Sequence, residues 1–282
     1  MSFLKNQNEQ RRLYLQLKGF QSNTYLEVAA ELVAIPSFKL PEQAIMEADV
    51  ADLQMPERLR LGNRLERFFS FIIQQSTRYE LIAENIQINE NKITLGELDF
   101  LIYDTDKQEV LHIELAGKLY LYDPNITEEL DRWIGPNRKD SLVRKTATLK
   151  QKQFPILFNS ATKSILKDFN LESKNIRQRV SYKTRLFLPF ATKNDIPGKV
   201  NPCNIKGYYV SLNEFLSNSF SDYSYFIPLK QDWIVDPKYG EVWHSHAKIL
   251  RNLEISLLEK MSPMIWVKKP NHTFETIFVV WW

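Results

Sequence analysis

The sequence predicts an α/β fold in which a sheet of adjacent antiparallel strands is combined with helical crossovers, giving an α/β sandwich. Two observations carry this expectation. Between residues 57 and 190 the hydrophobic pattern changes in the order helix, three strands, helix, strand, and the last two of the three strands are joined by one short turn. The 282 residues hold only eight glycines, so long flexible linkers are not expected and a large packed core is.

Taken in order, residues 9–34 repeat apolar side chains at helical spacing, and Pro36, Pro41 and Pro56 then punctuate a polar stretch, giving a helical N-terminal extension over residues 1–56. Residues 57–75 place Leu59, Leu65, Phe68, Phe69 and Ile72 on one helical stripe. Strands are expected over residues 81–88, 92–103 and 110–122, a turn-rich stretch over 123–136, a basic helix from about 140 to 154, a further helix over 156–170 and a strand over 182–190. Residues 191–206, with Pro197, Gly198 and Pro202, form the expected boundary between a core spanning 57–190 and a C-terminal α/β region spanning 191–282. That region reads as a strand (205–210), a short helix, a strand (225–234), a long helix (242–260) and two closing strands (264–267 and 274–281).

Composition narrows the function classes. Hydrophobic residues make up 44% and charged residues 25%, ordinary for a globular protein, and a net charge of +3 neither demands nor excludes a nucleic-acid partner. A single cysteine, Cys203, allows no internal disulfide and favours a reducing compartment. No apolar run reaches the roughly 18 residues of a membrane span, and residues 1–12 are too polar for a signal peptide. The expectation is a cytoplasmic protein with no membrane partner. Oligomeric state is left open.

The words that carry chemistry are Gly96-Glu97-Leu98-Asp99-Phe100 and His112-Ile113-Glu114-Leu115-Ala116-Gly117-Lys118. With Asp106 and Lys107 at the tip of the turn between them, Asp99 falls opposite Glu114. A period of two then puts Glu97, Asp99, His112, Glu114 and Lys118 on one face, and Leu98, Phe100, Ile102, Ile113, Leu115, Leu119 and Leu121 on the other. Directly opposed carboxylates stand about 5 Å apart at Cβ and repel one another. A hard divalent cation with oxygen ligands is the natural neutraliser, so the hairpin is a suspected metal site.

This order of elements, with Gly-Glu-Leu-Asp and a downstream Glu and Lys, resembles the PD-(D/E)XK nuclease superfamily, and more narrowly the bacterial family called domain of unknown function 1853. Leu95 to Leu101, His112 to Leu121, and Trp133-Ile134-Gly135-Pro136 with Asp140 and Leu142 carry the narrower likeness. The resemblance implies a PD-(D/E)XK-like core, a Mg²⁺ (or Mn²⁺) cofactor and hydrolysis of phosphodiester bonds in DNA or RNA. Carried over by position, Asp99, Glu114 and Lys118 are the expected catalytic residues, with Asp99, Glu114 and Glu66 as metal ligands. The superfamily usually spaces its last pair as Glu-x-Lys. That position is Ala116 here, and Lys118 lies two residues beyond it on the same face.

Other readings stay open. Glu66, between Arg64 and Arg67, reads equally as a solvated helix residue, and His112 as a hydrogen-bonded structural one. Residues 138–152 hold six bases against Asp140 alone; they form either a solvated face or a phosphate-binding one in which Arg144, Lys145 and Lys152 contact nucleic acid. Gln151 and Gln153 could orient water or backbone. His244 and His246 lack partners at zinc spacing, the tryptophan-rich C-terminus reads mainly as packing, and no phosphate loop or nucleophile elbow is present. The alternative to an enzyme is a weak or inactive nuclease-fold module that binds nucleic acid or a protein partner.

Overall fold

The computed structural model describes residues 2–198 and 200–282. In chain order its regular elements are α1 (Ser2–Ser22), β1 (Thr24–Tyr25), α2 (Glu27–Val33), α3 (Leu61–Gln74), β2 (Tyr79–Glu90), β3 (Ile93–Asp104), β4 (Glu109–Tyr122), β5 (Trp133–Ile134), α4 (Leu142–Thr148), α5 (Ser160–Asp168), β6 (Ile176–Pro189), β7 (Ile205–Ser211), α6 (Leu212–Phe215), β8 (Ser224–Phe226), β9 (His244–Ser245), α7 (His246–Leu258), β10 (Met264–Lys268) and β11 (Phe274–Val280). The fold is mixed α/β with mostly antiparallel strand pairing, as expected. Among the described residues no helix is long and apolar enough to cross a membrane.

Two compact units share the chain. One, the hairpin unit, joins Tyr25–Gly117 to Val143–Lys183; the other, the carboxy-terminal unit, joins Met1–Thr24, Lys118–Leu142 and Thr184–Trp282. This division is not the succession of three segments read from the sequence, because β4 and β6 each run from one unit into the other.

In the hairpin unit β2, β3 and β4 form an antiparallel meander. The β2–β3 turn places Asn91 and Lys92 at φ 50° and 66°, the left-handed pair that suits the twist of a tight hairpin. The β3–β4 turn is organised by Asp104, which accepts from the main-chain N–H groups of Asp106 and Lys107 and takes a bidentate pair of bonds from Arg78. Its register, Asp104↔Glu109 through Phe100↔Ile113, is the one expected from the sequence, and the regular pairing ends there, one step before Asp99 and Glu114.

Adjacent strand residues point to opposite faces, and each face has its own cover. Phe100 stacks on Phe69 of α3 with ring centroids 4.4 Å apart. A Cβ on Gly117 would lie 2.0 Å from Leu65 Cδ1 of the same helix, so a larger residue there would have to displace that methyl. On the other face Leu101 packs with Ile156, Leu157, Leu166 and Ile176. Leu98 belongs to this second group, although it was expected to share a face with Phe100. The alternation breaks at Asp99. On β2 the residue across from it is Asn85, at φ 53° between the pairs Glu84↔Phe100 and Ile86↔Leu98. An asparagine tolerates that left-handed conformation, and the pairs on either side of it keep one register.

The expected basic helix is present as α4 followed by a π-helical turn over Leu149–Gln153 and a 3₁₀ turn over Phe154–Phe158. In the carboxy-terminal unit β7 pairs in parallel with β6 and β11, and the antiparallel pairs β11–β10, β10–β8 and β8–β9 extend the sheet. Its core gathers Tyr208, Val210, Phe215, Tyr225, Ile249, Leu253, Ile265 and Ile277. The strand expected over 225–234 is confined to Ser224–Phe226. Pro228 lacks a donor for a ladder, and Asp232 is drawn into a 3₁₀ turn whose carboxylate holds Arg12 and Gln16.

Candidate functional site

The centre of the hairpin unit is an acid pair. Asp99 is 8% exposed and Glu114 fully buried. Asp99 Oδ2 accepts the Leu115 main-chain N–H at 2.8 Å, which ties β3 to β4 where the regular ladder has ended. Glu114 in turn is hydrogen-bonded by both the main chain and the side chain of Asp99. Burial raises Asp99 first and the Glu114 charge second, to about 8. Burial likewise raises Glu114, with Lys145 and the Asp99 bonds opposing. Two acids in hydrogen-bond contact inside the protein cannot both ionise at neutral pH without a counter-charge, so the pair retains a shared proton or takes up a cation.

A third acid stands beside them. Glu66, on α3, is raised to about 7 by partial burial and by the charges of Asp99, Glu97 and Glu84. Glu84 Oε2 is itself buried with no hydrogen-bond partner among the described residues, while its other oxygen lies 3.9 Å from Arg67. Glu97 acts on both Glu66 and Glu114 by its charge.

The cation that faces this group is Lys145. Its charge lowers Asp99, Glu114 and Glu66 alike. Its ammonium donates to Gln153 Oε1 at 2.7 Å, and the Gln153 amide donates to Glu114 Oε2 at 2.6 Å. Lys145 and Gln153 lie eight residues apart, on α4 and at the end of the π-helical turn, the kind of local widening that recurs at functional sites.

The remaining Glu114 oxygen, Oε1, is 2.9 Å from His112 Nε2. Burial depresses His112 to about 4, so the ring is neutral at pH 7. One tautomer satisfies both of its nitrogens: Nε2–H donates to Glu114, and Nδ1 accepts from the Gln178 amide at 3.3 Å. Gln178 also donates to the Phe154 carbonyl, and the Phe154 ring packs edge-on against the imidazole. A continuous chain Gln178, His112, Glu114, Gln153, Lys145 thus fixes the orientation of the Glu114 carboxylate. Among the described residues no three His, Cys, Asp or Glu side chains form a ready-made ligand cage.

The family model described as Domain of unknown function (DUF1853) matches residues 28–277. The chain belongs to this family. No curated protein and no solved structure matches it. The span matched by DUF1853 contains every residue of the acid centre and of the chain that orients it.

In this DUF1853 chain, Asp99 and Glu114 meet, and the charge of Asp99 reaches Glu66. Lys118, an expected catalytic residue on the face of the acids, has its ammonium on Asp140 Oδ2 at 2.6 Å instead. Of the three bases assigned to phosphate binding, Arg144 and Lys152 are exposed, whereas Lys145 is turned to Gln153 and the acids. From the sequence, Gln153 was a residue that could orient water or backbone, and Lys145 a phosphate contact; neither was placed beside Glu114. The only sequence signal for either was their place on the helix directly after the hairpin.

Proposed function

We propose that this DUF1853 chain is a Mg²⁺- or Mn²⁺-dependent nuclease acting on DNA or RNA, with the hairpin unit as a PD-(D/E)XK-like core. The observation that carries the reading is the Asp99–Glu114 pair with Glu66 alongside and Lys145 as the facing cation: an excess of inward acids that a divalent ion relieves. The donors fit such an ion, being carboxylate oxygens that suit a hard cation. Asp99 and Glu114 would hold it, with Glu66 completing the set. When bound, the ion supplies a polarised water and a clamp on the phosphoryl oxygens.

The chain's own residues do the rest. His112 and Gln153 hold the two Glu114 oxygens, so the carboxylate enters the site in one orientation. Lys145 supplies fixed positive potential where charge develops on the phosphoryl group. It takes the part that position suggested for Lys118. Arg144 and Lys152 offer phosphate contacts on the exposed side of the same helical segment.

A second reading is an inactive or weak nuclease-fold module that binds nucleic acid or a protein. Ala116 at the usual lysine position and the Lys118–Asp140 ion pair favour it. A screen of single-stranded, double-stranded and branched DNA and RNA with Mg²⁺, Mn²⁺ and chelator separates the two. Metal-dependent cleavage that disappears in Glu114→Gln supports the nuclease, and binding without turnover on any substrate supports the module.

A further inference from the structure

Arg185, on β6 in the carboxy-terminal unit, is buried to within 7% of full enclosure. Its Nη1 donates to the Trp233 carbonyl at 3.0 Å. Its Nε has no hydrogen-bond partner among the described residues. The acid whose charge reaches it, Asp236, pairs with Lys238 at 3.2 Å and caps the turn that Lys238 belongs to.

Elsewhere this chain shows what the vacant edge of such a guanidinium does. Arg12 places Nε and Nη2 on the two oxygens of Asp232 at 3.0 and 2.6 Å. Arg78 does the same on Asp104 at 2.9 and 2.7 Å. Arg185 has the same fork, more deeply buried, and its enclosed Nε finds no hydrogen-bond acceptor among the described residues. An arginine stays protonated in a protein, so an enclosed guanidinium without a partner on that edge is a costly arrangement. A second base increases the imbalance. Lys206 lies on the adjacent parallel strand β7, next to Ile205, which pairs with Leu186. Burial and the Arg185 charge both depress its ammonium.

We infer that the Nε side of Arg185, together with Lys206, is a binding site for a phosphate group. The planar fork matches two oxygens of such an anion, and the second cation favours a dianion over a single carboxylate. Neither residue belongs to the carboxylate centre, and the inference stands whether or not that centre is a nuclease.

The test is calorimetric titration of the full chain, free of divalent cations, with inorganic phosphate and with acetate. Phosphate is expected to bind saturably and roughly tenfold more tightly than acetate. Lys206→Met should weaken phosphate roughly tenfold, and Arg185→Met should abolish binding. In phosphate-free buffer Arg185→Met should melt no lower than the parent, since the unpaired buried charge is gone. Competition separates the sources of the anion. An oligonucleotide that displaces phosphate only when it carries a 5′-phosphate marks a monoester site, and equal displacement without one marks a diester site. Absence of saturable phosphate binding in the parent overturns the inference, as does unchanged affinity in Arg185→Met. Should Arg185→Met not fold, unchanged affinity in Lys206→Met overturns it.

Discussion

Asp99→Asn isolates the strain that the acid pair stores. In the native protein Asp99 is shifted from 3.8 to about 8, chiefly by burial. A shift of about four pK units, at about 1.4 kcal/mol each, sets a ceiling near 6 kcal/mol on the penalty for ionising it. Because Asp99 and Glu114 relieve each other by sharing a proton, we expect about half of this, on the order of 3 kcal/mol at pH 8. The folded state keeps protons that the unfolded chain has released, so it binds more of them above the unfolded carboxylate range and up to about pH 8, and stability falls as pH rises through that window. His112, depressed from 6.5 to about 4, acts in the opposite sense: its contribution is lost as pH falls below its unfolded value. The acids are therefore read cleanly between about pH 6.5 and 8. Asparagine can keep the geometry, accepting the Leu115 N–H on its oxygen and donating its amide to Glu114. The expected result is a variant whose melting temperature at pH 8 rises by roughly 6 °C, at about 2 °C per kcal/mol for a chain of this size. Its decline in stability between pH 6.5 and 8 should also be shallower. Mn²⁺ should stabilise the parent at pH 8 and leave the variant unchanged. Melting curves across pH decide the matter. A variant less stable than the parent at pH 8, or one with the parent's full pH slope, refutes the reading of the pair as strained.

The helical bases separate by role: Lys145→Met should lower the rate of metal-dependent cleavage by at least about 10²-fold with little change in nucleic-acid binding. The double change Arg144→Ala with Lys152→Ala should weaken binding about equally across sequences and reduce the salt slope by about two, as salt-titrated binding would show. If the two variants behave alike, the division of the basic segment between site and surface is wrong. Gly207→Ala tests the β7–β11 contact, since a Cβ there would sit 1.9 Å from the Thr276 carbonyl oxygen. Main chain on both sides leaves no cheap relaxation, so a loss of at least about 3 kcal/mol in denaturant unfolding is expected, the upper end for overpacking.

The register of the hairpin was legible in the sequence because it depends on two local quantities, the tip of the turn and the period of the strands. Counting outward from Asp106 and Lys107 places Asp99 opposite Glu114, and the pairs Asp104↔Glu109 to Phe100↔Ile113 follow the same count. The stripe on residues 57–75 likewise foretold the face that α3 presents through Leu65 and Phe69. Less was legible where the regular period fails. Leu98 leaves the face of Phe100 because the pleat breaks opposite Asn85, and periodic counting assumes that no such break occurs. Residues 225–234 look like a strand by composition, yet Asp232 is recruited by Arg12 and Gln16, more than two hundred positions away.

The cation of the centre divides in the same way. Strand alternation brings Lys118 to the acidic face on paper, but which partner a long flexible side chain takes depends on what else is within its reach, and Asp140 is. Lys145 and Gln153 were visible as residue types and as neighbours of the hairpin in sequence. Their meeting with Glu114 depends on how the segment from α4 through the π-helical turn packs over the sheet. Patterns of local period follow from backbone geometry, which each short stretch of sequence carries within itself. The pairing of side chains from separate elements follows from packing, which no single stretch contains.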